Sequence, residues 1–125
     1  MQVSRNLLIQ KIKNCFPFNR LDDAAISNLI DHAEVLFFEI GQIIFRQGAT
    51  GNSVYLVLEG EVGVLTDHDG RMSEINRKRE GSIFGEEALI EAAKRLAMVR
   101  AETNLMVMKI PAAIVHQVQS KDLVF

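Results

Sequence analysis

All eight glycines lie between Gly41 and Gly85, at positions 41, 48, 51, 60, 63, 70, 81 and 85, and the forty residues on either side contain none. Glycine supplies the positive φ of tight turns, so a segment punctuated this way reads as short strands joined by turns. The glycine-free flanks read as helices. From Ser4 to Asn14, Leu7, Leu8, Ile12 and Cys15 recur at helical spacing, and Pro17 interrupts the run. Asp22 or Asp23 is placed to cap a second helix that runs to about His32 and buries Ala25, Ile26, Leu29 and Ile30. Pro111 suits the first turn of a closing helix carrying Ile114, Val115 and Val118.

Between these flanks the period changes. Val35 to Glu39, Gln42 to Arg46, Val54 to Glu59, Val62 to Thr66, Leu96 to Ala101 and Leu105 to Ile110 are short and rich in β-branched or apolar residues, and Met72 to Arg79 is a weaker strand. Asp67-His68-Asp69-Gly70 has the composition of a hairpin turn. About eight strands without crossover helices predict an α+β, mainly β chain, an eight-stranded antiparallel jelly-roll β-barrel with flanking helices. The expected division is one domain over 1–125, with a helical lead at 1–33, a barrel at 34–110 and a closing helix at 111–120. One segment breaks the pattern: Gly85 to Arg95 is rich in Glu, Ala and Leu and strongly helix-forming.

Composition narrows the function. With 125 residues, 48% apolar, the chain can bury a core without metal or disulfide. Fourteen basic against sixteen acidic residues give a net charge of −2, which argues against direct nucleic-acid binding. No apolar run approaches the ~20 residues of a membrane helix, and Met1 to Gln10 has no signal-peptide pattern. The single Cys15 suits packing in a reducing, cytoplasmic setting.

Phe84-Gly85-Glu86, Ala88-Leu89, Arg95, Ala97, Val99 and Ala101 resemble, in one ungapped register, the phosphate-binding cassette of the cyclic nucleotide-binding domain family. That family includes bacterial catabolite-activator-type regulators and the regulatory subunits of cyclic-AMP-dependent kinase. Gly41, Gln47-Gly48, Gly51, Tyr55, Gly60, Val62 and Val64 also fall at its turn and strand positions, so the resemblance spans roughly residues 15 to 118. It implies a ligand-sensing domain that performs no chemistry, binding cAMP or cGMP with a short cassette helix. Glu86 would accept from the ribose 2′-hydroxyl and Arg95 would pair with the cyclic phosphate. The first turn of the helix would offer N–H groups to the anion. Phe84, Gly85, Ala88, Leu96 and Ala97 would complete the site, with Val62 and Val64 as the bed for the base. cAMP is favoured because cGMP selectivity in the family leans on a Thr or Ser where Leu96 stands.

Three positions depart from the family pattern. Leu96 replaces a small residue, Ala92-Ala93-Lys94 replaces a helix-ending Gly-x-Pro, and Glu87 replaces an aliphatic residue and is expected to face water. An unbroken helix from Glu86 to Arg95 would put the two on opposite faces, since nine steps turn ~100° each. Arg95 also stands i,i+4 from Glu91, the spacing of a surface ion pair. Glu86 has its own plain alternative, a solvated carboxylate at a helix start. A degenerate member that binds no nucleotide and serves as an interaction or dimerisation module therefore stays open. A metal-dependent barrel enzyme is a third reading, but His32, His68 and His116 lack ligand spacing. Arg77-Lys78-Arg79 is expected to be a solvated strand edge, with a phosphate-attracting patch as the alternative. After the apolar ending Leu123-Val124-Phe125 the family usually continues into a longer capping helix. Output would then come from a missing segment, a second copy or a partner chain.

Overall fold

Ser4 and Asp22 start the two leading helices with their own side chains. Ser4 Oγ accepts from the Leu7 amide at 3.2 Å ahead of α1 (Arg5–Lys13), and Asp22 Oδ1 accepts from the Ala25 amide at 2.8 Å ahead of α2 (Asp23–His32). A 3-10 turn (Phe18–Arg20) follows Pro17 between them. This computed structural model describes residues 3–90 and 94–121, without the side chains of 119–121.

Eight strands follow: β1 (Glu34–Phe38), β2 (Ile43–Phe45), β3 (Ser53–Glu59), β4 (Glu61–His68), β5 (Arg71–Arg79), β6 (Ile83–Phe84), β7 (Met98–Ala101) and β8 (Leu105–Pro111). α3 (Ala112–Lys121) closes the described chain. The strands pair antiparallel in two four-stranded sheets, ordered β1-β8-β3-β6 and β2-β7-β4-β5. That is jelly-roll connectivity, but the expected closed barrel is not formed. β1, β6, β2 and β5 are edges, and among the described residues none pairs across to the other sheet. β6 and β2 have two and three residues, too little ladder to stitch the sheets shut.

The apolar runs of β3 and β8 serve both of their faces. Val54, Leu56 and Leu58 with Met106, Met108 and Ile110 face the helices, meeting Ile12, Phe18, Leu29 and Val115. Tyr55, Val57, Leu105 and Val107 face the second sheet, meeting Val62, Val99 and Ala101. A strand buried on both sides loses the polar alternation of a solvated one, which is why Val54 to Leu58 reads as continuous apolar sequence. The layers are helices, first sheet, second sheet. The β4–β5 turn is the expected one: Asp69 and Gly70 have φ of 56° and 83°, the paired positive values of a type I′ hairpin.

Local departures cluster around one segment. The helix expected over Gly85–Arg95 is a single 3-10 turn, Glu86–Leu89, and Glu91 to Ala93 lie outside the described residues. β6 was not foreseen, because two residues carry no period. The strand expected from Leu96 starts at Met98 instead.

Candidate functional site

The site grows from the junction of β3 and β6. Their register sets Tyr55 opposite Phe84, whose rings stack at 4.9 Å with 5° between planes. Phe45 of β2 leans on both, at 5.7 and 6.0 Å. Immediately after β6, Gly85 turns the chain with φ of 75°, in the left-handed region. The 3-10 turn then closes with the Ala88 amide donating to the Gly85 carbonyl at 3.2 Å.

The chain returns where Lys94 bridges to Thr50, the Arg95 amide donates to the Ala49 carbonyl at 2.7 Å, and the Gly48 amide donates to the Arg95 carbonyl at 2.8 Å. These tertiary bonds override the helical propensity of the segment and aim Arg95 inward. Its guanidinium is 3% exposed, so a surface pair is excluded for it. Nη1 donates to the Gly85 carbonyl at 3.0 Å and Nη2 to the Ser53 carbonyl at 2.9 Å. Its Cζ lies 4.2 Å over the Phe45 ring and 5.8 Å from that of Tyr55, a cation–π seat. Glycine is required on both sides of it. A Cβ on Gly85 would stand 2.8 Å from Nη1, and one on Gly51 would collide with Nε.

Beside this lies a cavity of about 210 Å3. Of the residues expected to bind ligand, Val64, Phe84, Gly85, Glu86, Leu96 and Ala97 line it. Ala88 within the turn, Val62 between the sheets and Arg95 are buried, and none of the three lines the cavity. Leu96 is 72% exposed at the mouth.

Two further charges are on the wall. Lys78 donates from Nζ to the Ile83 carbonyl at 2.8 Å and to Glu86 Oε1 at 3.4 Å. Its neighbours form the solvated edge that the sequence predicts, Arg77 pairing with Glu74 and Arg79 with Glu61, both at 2.9 Å. Glu87 does not simply face water: its side chain is 20% exposed and Oε1 is 3.5 Å from Arg95 Nη1. Burial pushes the Tyr55 phenol above its usual pKa, with the Arg95 charge opposing. The sequence reading passed over Phe45, Ser53, Lys78 and Glu87 as site residues. The one signal for Glu87 was an acid where the family carries an aliphatic side chain.

A larger cleft, about 800 Å3, lies at the other end of β3 between Phe37, Glu59, Gly60 and Met106. Among the described residues its charged lining is Glu39 and Glu59, which disfavour an anion. A small third cleft contains Cys15, whose buried thiol donates to the Lys11 carbonyl at 3.0 Å and is pushed up to about 11 by burial. Protonated and packed, it is no nucleophile at neutral pH. Among the described residues no three His, Cys, Asp or Glu side chains group as metal ligands, and no helix is long and apolar enough to cross a membrane.

Comparison with known proteins identifies the family of the chain. The family model of the cyclic nucleotide-binding domain matches residues 35–122. Over 77 residues the chain is 38% identical to the cAMP-dependent protein kinase regulatory subunit of Mucor circinelloides f. lusitanicus, covering 62% of this chain and 18% of that protein. Over 103 residues it is 33% identical to the cGMP-dependent protein kinase, isozyme 1, of Drosophila melanogaster, covering 74% of this chain and 13% of that one. The chain thus spans less than a fifth of the length of either. Its fold matches the regulatory domain of Toxoplasma gondii PKA in a co-crystal with cAMP, with a TM-score of 0.82 at 22% identity over 94% of this chain and 46% of that one.

Proposed function

The chain belongs to the cyclic nucleotide-binding domain family, and on that premise we propose that it senses a cyclic nucleotide, cAMP in preference to cGMP, in the cavity beside Gly85. The observation that carries this is the pairing of a buried guanidinium behind that cavity with a carboxylate on its wall. Arg95 offers a fork of donors to phosphate oxygens, and Glu86, steadied by Lys78, accepts from a ribose hydroxyl. Val64, Phe45 and Val99 give the base an apolar seat. Leu96 contributes no hydroxyl to a guanine, which supports the preference for adenine.

The same turn supplies a route to output. Leu89, its last residue, packs into the helix-side core that contains Val115 and Val118 of α3. A ligand that draws in Gly85 and Glu86 shifts the position of Leu89, and α3 responds by population shift, limited by the difference in affinity between the two states. The regulatory domain itself performs no chemistry in this reading. The effector is a segment or chain that moves with α3, or a second copy.

Competition of cAMP and cGMP against a fluorescent cAMP analogue tests the assignment. We expect saturable binding, weakened roughly tenfold or more by Glu86→Gln through loss of a charged hydrogen bond. Leu96→Ala is expected to tighten binding without changing Tm, because the side chain it removes is solvated. No binding at millimolar nucleotide, in the wild-type protein or in any folded variant that widens or uncharges the cavity, would instead favour the interaction module. The feature behind that second reading is that Arg95 already spends donors on Gly85, Ser53 and Glu87.

A further inference from the structure

Resting on that nucleotide reading, we propose that Glu87 is a built-in counter-ion that occupies Arg95 in place of the ligand phosphate, so that nucleotide binds only as this carboxylate is displaced. Three observations carry it. Glu87 lines the cavity, while the guanidinium of Arg95, against which its carboxylate lies, is buried and does not. Its oxygen lies 3.5 Å from Nη1, and Arg95 is otherwise held by two neutral carbonyls and an aromatic face, which leaves Glu87 as its one charge partner among the described residues. Among the described residues the site is already neutral: Lys78 and Arg95 balance Glu86 and Glu87, so an arriving phosphate monoanion finds no net positive charge from them.

An anion entering a site of this kind must substitute for the carboxylate, since two anions cannot share one guanidinium edge at low dielectric without strong repulsion. Glu87 thereby becomes a specificity element. It suppresses the advantage that a phosphate confers and sets a threshold that the ligand must exceed.

The test compares cAMP with adenosine, which presents the same base and ribose without charge. Affinities for both are measured by calorimetry on the wild-type protein, Glu87→Gln and Glu87→Leu, with folding checked by thermal melting. The proposal expects both substitutions to raise cAMP affinity at least ~10-fold, the worth of one charged hydrogen bond, while adenosine affinity stays unchanged. Binding of cAMP by the variants alone supports it equally. Unchanged or weaker cAMP binding in Glu87→Gln, with the wild-type protein binding normally, overturns the counter-ion and leaves the sensor reading intact. An equal gain for adenosine also overturns it, because the effect would then be of space and not of charge. If every folded protein ignores cAMP and cGMP, the nucleotide reading itself fails and the counter-ion falls with it.

Discussion

A guanidinium that is 3% exposed must be satisfied from within the protein, and Arg95 is. It ties the start of β3, through the Ser53 carbonyl, to the turn after β6, through the Gly85 carbonyl, and lies on the Phe45 ring. Removing it would take a donor from each of two carbonyls and leave Glu87 uncompensated. Arg95→Ala is therefore expected to lower stability by about 3 kcal/mol, within the range for breaking a buried charge pair, and Tm by about 10 °C. A denaturant melt with an unchanged midpoint would show that the arginine braces nothing. Loss of ligand in that variant is consequently an ambiguous result, and the solvated Leu96 and half-exposed Glu86 are cleaner probes. Arg95 and Glu86 were legible in the sequence because they stand in a motif. Lys78 and Glu87 were not, because a charge on an edge strand or in a short turn has no periodicity to say which way it points.

At the scale of elements, the cassette turn is where local propensity and tertiary structure disagree. Glu86 to Lys94 is a helix-forming composition, yet among its described residues Glu86–Leu89 forms a 3-10 turn and Lys94 is bridged to Thr50. Propensity differences are tenths of a kcal/mol per residue, and the backbone bonds at Ala49 and Gly48 together with the burial of Arg95 outweigh them. The caps at Ser4 and Asp22 were readable because capping is local chemistry; the end of the cassette turn is set by residues some forty positions upstream. Leu89 is the element's link to α3. Nucleotide is expected to alter amide exchange in α3, and Leu89→Ala is expected to abolish that response at a stability cost of about 1–2 kcal/mol, less than for a fully buried leucine. An α3 response that survives in Leu89→Ala would place the coupling elsewhere.

Across the whole molecule, β3 organises function as well as core. Its two faces hold the helices and the second sheet together, and its two ends differ in what they meet. The end at Ser53 and Tyr55 meets a buried arginine, while the end at Glu59 meets acids and exposed phenylalanine. The glycine distribution made the strand count legible, but not that the strands divide into two open sheets, because pairing across a gap depends on edge lengths that no single segment encodes. Size alone would place a ligand in the larger cleft, whereas the proposed reading puts it in the smaller, where the buried Arg95 guanidinium lies close by. Amide shifts recorded by two-dimensional NMR during titration with cAMP decide between them. The account predicts saturable movement of Gly85, Ala88 and Ala97 with Gly60 and Leu105 still. Movement confined to Gly60 and Leu105, or no movement at saturating nucleotide, would contradict it.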